Sequence, residues 1–97
     1  MLKPVKDQAR VFAHGEIDIS TVHHLLELIE ACDNTLVTLD CKGIEFIDST
    51  GIGLLLRKKM EMYETGRDLV FVEIPKHVSD VFEEMGIFQI LEEFKGM

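Results

Sequence analysis

The sequence predicts a single α/β domain over residues 1–97, with a mainly parallel sheet of four to five strands covered by about four helices. Strand-like and helix-like apolar patterns alternate along the chain, separated by frequent Gly, Pro, Asp and Asn residues. A chain of 97 residues can bury one hydrophobic core but is too short for two. Because predicted helices separate the strands, most strands are expected to run parallel, with the first strands antiparallel at one side.

The first half of the chain contains two predicted strands and one helix. Arg10–His14 has the composition of a strand that ends at Gly15, and Leu36–Asp40 is a β-rich segment expected at the centre of the sheet. Lys42-Gly43 is expected to turn the chain. Ser20 is a preferred N-cap residue for the helix between the strands. The apolar positions after it have the spacing of one helical face: Val22, Leu25, Leu26, Ile29 and Cys32.

A second helix is expected to follow the segment Asp48–Gly51 and to end near Gly66, because glycine commonly terminates helices. Leu54 lies opposite the apolar face on a helical wheel and is expected to be exposed. Lys59 falls in the middle of that face, where a lysine is unexpected. The apolar face itself consists of Ile52, Leu55, Leu56, Met60 and Tyr63.

The remainder of the chain adds one strand and two helical segments. Leu69–Ile74 has a strand pattern, Pro75 suits the first turn of a third helix, and Gly86 suits its end. The residues of the third helix expected to point inward are Val78, Val81, Phe82 and Met85. A last short element repeats helical spacing at Ile87, Ile90, Leu91 and Phe94.

The charge of the chain narrows the classes of partner. Ten Lys and Arg residues stand against 18 Asp and Glu residues, which gives a formal net charge of −8. Nucleic acids and anionic membranes both attract basic surfaces, so neither is expected as a partner. No apolar run approaches the roughly 20 residues of a membrane span, and no signal peptide is recognisable. Cys32 and Cys41 are expected to be reduced residues of a cytoplasmic protein.

The chain shows no pattern typical of an enzyme or a metal site. Its four histidines are scattered, and the adjacent His23 and His24 point to different faces of a helix, which is not the arrangement of a metal site. A serine-hydrolase elbow needs a glycine two residues before the serine, where this chain has Ile47. Glycine-rich phosphate loops are also absent. We therefore expect no catalytic residues, no metal and no cofactor.

The segment 46–53, Phe-Ile-Asp-Ser-Thr-Gly-Ile-Gly, carries the clearest functional signal. It places a carboxylate, Asp48, and two hydroxyls, Ser49 and Thr50, where a strand ends and a helix begins. The first N–H groups of a helix lack partners and the helix dipole is positive there, so a phosphate on Ser49 would meet free donors. The phosphate would also add between one and two negative charges.

Two glycines in the same segment bear on how it is interpreted. Gly51 and Gly53 leave one edge of the first helical turn without side chains, so that another protein could approach closely. The simpler interpretation is that Asp, Ser and Thr only cap the helix, as they commonly do. However, each glycine costs roughly 1 kcal/mol of helix stability relative to alanine, which favours a packing or functional reason for both.

Three motifs resemble those of the STAS-domain anti-sigma factor antagonists, in the same order and at family spacing. Asp48–Gly51, followed by Ile-Gly and a leucine run, looks like the family's Asp-Ser-Ser/Thr-Gly signature. Gly15–Asp18 resembles its Gly-Glu-Leu-Asp turn, and Phe82–Phe88 resembles its third helix and the exit from that helix. The resemblance extends from about Val11 to Phe94.

The resemblance implies a phosphorylation switch on a STAS-like domain. Ser49 matches the serine phosphorylated by an anti-sigma factor that is also a kinase with an ATP-binding, histidine-kinase-like fold. The unphosphorylated antagonist binds this kinase and frees a sigma factor, the phosphorylated form is released, and a serine phosphatase resets the switch. Together with the residue patterns above, the resemblance gives one expected set of partner-binding residues: Glu16, Asp18, Asp48, Ser49, Thr50, Gly51, Gly53 and Leu54.

The main departure from the family pattern is Thr50, which replaces the second serine and leaves a second hydroxyl that could be phosphorylated. The family also contains stressosome scaffolds, lipid-transport subunits and transporter tails. An unphosphorylated interaction subunit of a scaffold or a lipid-transport complex is therefore the alternative function. Transporter tails follow membrane spans, which are absent here, and lipid-transport subunits often lack the Asp-Ser pair.

Overall fold

Strands and helices alternate in the computed structural model, which describes residues 8–87, 89 and 90. The strands are β1 (Gln8–Ile17), β2 (Leu36–Ile47) and β3 (Asp68–Val72). The helices are α1 (Val22–Glu30), α2 (Ser49–Glu64) and α3 (Lys76–Glu84). The strands form one sheet in the order β1-β2-β3, so each crossover helix returns the chain to an adjacent strand.

One hydrophobic core lies between the sheet and the helices. Alternate residues of the strands, such as Val11, Val37 and Leu69, are buried, as the two-residue period of a strand requires. Helices contribute Ile29 of α1 and Ile52 of α2 to the same cluster. No helix in the described part of the chain combines the length and apolar character needed to cross a membrane.

The sheet differs from the expected one in direction and in strand number. Both strand pairs, β1–β2 and β2–β3, are parallel, so the expected antiparallel pairing of the first strands is wrong for the described residues. Within 8–87, 89 and 90 the sheet has three strands rather than four to five, and three helices rather than about four. Residues 87, 89 and 90 are helical, whereas Leu91 and Phe94 lie outside the described residues.

The expected turn at Lys42-Gly43 is wrong, because β2 continues through it to Ile47. Gly43 instead allows β1 and β2 to approach closely where their register shifts. A Cβ at position 43 would lie 2.8 Å from the Cβ of His14 and 3.1 Å from the carbonyl oxygen of Ala13. A glycine inside a strand often marks such a close approach, and sequence alone does not separate it from a turn.

The buried face of α2 is rotated from the one expected. Met62 and Lys59 are buried, whereas Met60 and Tyr63 are exposed. Lys59 is accommodated because its ammonium group donates to Asp68 Oδ1 and to the carbonyl oxygen of Leu69, both at 2.7 Å. A buried charge with two such partners avoids most of the desolvation cost that an unpaired ammonium would pay.

Other helix predictions have mixed outcomes. The end of α2 is confirmed: Gly66 has φ +82°, and the N–H of Arg67 donates to the carbonyl oxygen of Met62, as in a Schellman motif. Met85, expected to point inward from the third helix, follows the end of α3 and is exposed.

Candidate functional site

The two predicted segments, Gly15–Asp18 and Asp48–Gly51, lie side by side at the carboxyl ends of β1 and β2. Ile17 pairs with Ile47 in the strand register. The backbone N–H of Asp48 donates to the carbonyl oxygen of Ile17 at 3.2 Å, which extends the contact beyond the last strand residue. Parallel strands bring their carboxyl ends to one edge, so motifs about 30 residues apart meet there.

Asp48 caps α2 and thereby determines how Ser49 is presented. Its backbone is extended, with φ −108° and ψ 178°, and its Oδ1 accepts from the N–H of Gly51 at 2.8 Å. Ile52 N–H donates to the carbonyl oxygen of Asp48 at 3.0 Å, which begins the helical hydrogen bonding. Ser49 is therefore the first residue of α2, as the strand-to-helix transition in the sequence predicts.

Two backbone donors remain available at this helix end. The N–H groups of Asp48 and Gly51 are occupied by the bonds described above, whereas those of Ser49 and Thr50 have no partner among the described residues. The side chains of Ser49 and Thr50 are both exposed. A phosphate on the Ser49 hydroxyl would thus find unpaired N–H donors and the positive end of the α2 dipole.

The two glycines of the first turn have different surroundings. Gly51 is buried, and a Cβ there would lie 2.7 Å from the carbonyl oxygen of Ile17. Gly51 therefore serves the internal contact between α2 and β1 rather than an open surface. Gly53 is exposed, and a Cβ there would have no neighbouring atom within 4 Å. The expected open edge of the first turn is thus located at Gly53.

The carboxylate of Asp18 shapes the loop between β1 and α1. It accepts from the backbone N–H of Ser20 at 3.0 Å and from the Ser20 hydroxyl at 2.7 Å. These hydrogen bonds lower the pKa of Asp18. The largest effect comes from the Ser20 hydroxyl, and the Ser20 N–H and Thr21 contribute less. The expectation that Ser20 is the N-cap of α1 is wrong, because Thr21 occupies that position and Ser20 hydrogen-bonds Asp18 instead.

Glu16 is held beside this loop. The Thr21 hydroxyl donates to the backbone carbonyl of Glu16 at 2.6 Å, while the Glu16 side chain is exposed. It lines an open groove of about 370 Å³ between β1 and α1, together with Phe12, His24 and Leu28. Glu16 is therefore the one carboxylate of the Gly15–Asp18 turn that no hydrogen bond within the described residues engages.

The prediction that Leu54 is exposed is wrong. Its side chain is half-buried and packs against the core cluster. The part that remains accessible borders a shallow depression between α1 and α2, with Leu26 and Arg57 nearby. A helical wheel places Leu54 opposite Ile52, but it does not show that α1 covers this side of α2.

Sequence reasoning missed two large apolar side chains at the same edge of the sheet. Ile19 in the β1–α1 loop is 59% exposed, and Phe46 near the end of β2 is 51% exposed. Strand alternation could have indicated Phe46, because its neighbour Ile47 is buried on the opposite face. No sequence signal marks Ile19, whose exposure depends on the path of the loop.

Comparison with known proteins identifies the family. The family model described as "Mlab, STAS domain" matches residues 3–92. The chain belongs to the STAS domain family. The predicted resemblance of this chain to STAS domains is thereby confirmed.

This STAS domain is similar to anti-sigma-B factor antagonists of Listeria monocytogenes and Listeria innocua. Each is 26% identical over 89 residues, which cover 89% of this chain and 78% of the relative. Both names describe an antagonist of another protein rather than an enzyme.

Two solved structures share the fold. The anti-sigma factor antagonist SpoIIAA in its unphosphorylated form superposes with a TM-score of 0.70 at 19% identity, covering 100% of this chain and 96% of SpoIIAA. The STAS domain of a SulP transporter from Vibrio cholerae superposes with a TM-score of 0.69 at 17% identity. The superposition covers 91% of this chain and 70% of the transporter domain. Both neighbours support the α/β STAS fold, which occurs in regulators and in transporters.

Proposed function

We propose that this STAS domain is an anti-sigma factor antagonist that binds an anti-sigma factor serine kinase and is released when Ser49 is phosphorylated. The observation that carries the proposal is the exposed Ser49 hydroxyl at the first position of α2, beside the unpaired N–H groups of Ser49 and Thr50. The names of the Listeria relatives agree with this function. The partner-binding surface is proposed to include Glu16, Asp18, Asp48, Ser49, Thr50, Gly53 and the accessible part of Leu54. Gly51, expected in the same set, is buried and supports this surface from inside.

The proposed modification is a phosphoryl transfer from ATP bound to the kinase. The Ser49 Oγ forms a bond to the γ-phosphorus, the bond from that phosphorus to the ADP oxygen breaks, and the hydroxyl proton passes to a base on the kinase. Because the reaction uses ATP, the proposal places the protein in the cytoplasm. A serine phosphatase reverses the state by directing water onto the phosphorus, which restores the Ser49 hydroxyl and releases inorganic phosphate.

Charge repulsion gives a physical reason for release. Residues 15–21 and 44–53 contain four carboxylates and no Lys or Arg. After transfer, a dianion on Ser49 would face the diphosphate of ADP in the kinase site. Two unit charges 4 Å apart repel by about 4 kcal/mol at an effective dielectric constant near 20. A tenfold loss of affinity needs only about 1.4 kcal/mol, so one close pair of like charges is sufficient.

The test uses the full chain with ATP and the kinase encoded near its gene. Intact mass spectrometry is expected to show the addition of one phosphate to the wild type and to Thr50→Ala, but not to Ser49→Ala. Thr50→Ala is the matched control because it removes the neighbouring exposed hydroxyl. Ser49→Asp is expected to weaken kinase binding by about tenfold or more. The proposal fails if Ser49→Ala is still modified, or if both Ser49 variants bind the kinase as the wild type does.

The alternative function is an unphosphorylated interaction subunit of a scaffold or lipid-transport complex. The likeness to a transporter STAS domain shows that this fold also occurs outside antagonists. Protein purified from its own cells distinguishes the two functions. The alternative predicts stable co-purification with a larger assembly and an unmodified mass, whereas the antagonist predicts a fraction that carries phosphate on Ser49.

A further inference from the structure

We propose that Ile19 and Phe46 are the two apolar anchors by which the unphosphorylated protein docks onto its kinase. This inference rests on the proposed function, because it assigns the contact residues of the same partner. It adds two residues that lie outside the Gly15–Asp18 and Asp48–Gly51 motifs. It also states the chemistry of the partner surface: two apolar pockets flanked by Lys or Arg side chains.

Ile19 lies in the loop directly after the end of β1, where β1 contacts the start of α2. It follows Ile17 by two residues, and the carbonyl of Ile17 accepts the N–H of Asp48 while contacting Gly51. The loop that carries Ile19 is held by the hydrogen bonds from Ser20 to the Asp18 carboxylate. A side chain presented on a pre-formed loop loses little conformational entropy on binding, which favours affinity.

Phe46 reaches the same edge from the neighbouring strand. Its Cα is three residues from that of Ser49, so the two lie at most about 11 Å apart. Ile47 is buried and Phe46 is paired in register with the exposed Glu16, so the strand pleat directs the phenyl ring to the surface. Burying a large aromatic side chain at a protein interface contributes strongly to affinity, and such residues are enriched among binding hot spots.

The charges around these two side chains indicate the class of partner surface. A single exposed apolar residue is ordinary, but here two large ones accompany an exposed serine and four carboxylates, Glu16, Asp18, Glu45 and Asp48. The same segments, 15–21 and 44–53, contain no Lys or Arg. A complementary surface would therefore be basic around its apolar pockets, with charge accelerating association and apolar burial slowing dissociation.

The test measures binding of the full chain to the kinase by calorimetry or surface plasmon resonance. Ile19→Ala and Phe46→Ala are each expected to weaken binding by about tenfold or more, while Phe46→Leu retains most of the affinity because it keeps an apolar side chain. Met60→Ala is the matched control. Met60 is 46% exposed, but it lies 11 residues along α2 from Ser49, roughly 16 Å away. The affinity of the Met60→Ala variant for the kinase is expected to stay within about twofold of the wild type.

Circular dichroism and thermal unfolding confirm that each variant is folded before binding is compared. If the wild type binds and is phosphorylated on Ser49 while both alanine variants bind equally well, the anchor assignment is overturned and the antagonist function stands. If Met60→Ala loses as much affinity as the anchor variants, the assignment is also overturned. If the wild type neither binds the kinase nor accepts phosphate, the proposed function and the anchors fall together.

Discussion

Gly51 lies against the carbonyl group of Ile17, so that a Cβ at position 51 would come within 2.7 Å of the oxygen. The same oxygen accepts the backbone N–H of Asp48 at 3.2 Å. One carbonyl at the end of β1 therefore contacts both the cap and the first turn of α2. Because Ser49 lies between Asp48 and Gly51, this contact determines where its hydroxyl is presented.

Substituting alanine for each of the two glycines of this turn is expected to change the free energy of unfolding in opposite directions. Gly51→Ala forces a methyl group against backbone, and such overpacking costs about 1 to 3 kcal/mol of unfolding free energy. The gain in helix propensity returns about 1 kcal/mol at most, so the net effect is destabilising. Gly53→Ala meets open space and is expected to stabilise the protein by up to about 1 kcal/mol. Urea unfolding of both variants measures the difference, and equal effects would contradict it.

Asp48 is expected to contribute to stability through its capping hydrogen bond to Gly51. Asp48→Ala removes this bond and should lower the free energy of unfolding by about 1 kcal/mol. Asp48→Asn keeps a side-chain oxygen as acceptor and should retain most of the stability, because Asn and Asp are similarly good N-caps. Thermal unfolding of the pair provides the measurement. An Asn variant as unstable as the Ala variant would show that charge, rather than the cap, is what matters.

The ion pair between Arg10 and Asp40 is expected to make stability depend on pH. Arg10 donates to Asp40 Oδ2 at 2.8 Å, and the Lys42 N–H donates to Oδ1 at 2.9 Å. These contacts lower the pKa of Asp40 below its usual 3.8, and the hydrogen bond from Arg10 has the largest effect. A carboxyl group with a lowered folded pKa stabilises the fold above its unfolded pKa. That contribution is lost as the pH falls through the folded pKa.

Arg10→Met tests this contribution. The variant is expected to be less stable at neutral pH, because it leaves the buried Asp40, 2% exposed, without its guanidinium partner. Its stability should then fall less steeply than that of the wild type below about pH 4. Urea unfolding across this range provides the curves. Arg57→Met, which removes a largely exposed guanidinium, serves as the control and should parallel the wild type. The prediction is contradicted if the stability of Arg10→Met falls with pH as steeply as that of the wild type.

Local patterns were sufficient for much of the secondary structure. The alternation of apolar periods predicts β1, α1 and β2 in order, and the Asp-Ser-Thr sequence marks the start of α2 because capping uses residues adjacent in the chain. The glycine at position 66 ends α2 for a similarly local reason. The same patterns misassigned Gly43 as a turn residue. They placed Lys59 on the apolar face of α2, where it is buried, but did not indicate its partners, which belong to another segment. Gly43 lies against His14 of the neighbouring strand. The ammonium group of Lys59 donates to Asp68 and to the carbonyl oxygen of Leu69.

The amino-acid sequence by itself determined the class of fold, the family motifs and the serine at the junction of a strand and a helix. Only the tertiary structure decided that Gly51 faces inward and Gly53 outward, that Leu54 is half-buried, and that Ile19 and Phe46 are exposed. The physical reason is that capping and periodicity act within a few residues of the chain. Burial and exposure, in contrast, depend on which distant segments the parallel register brings together.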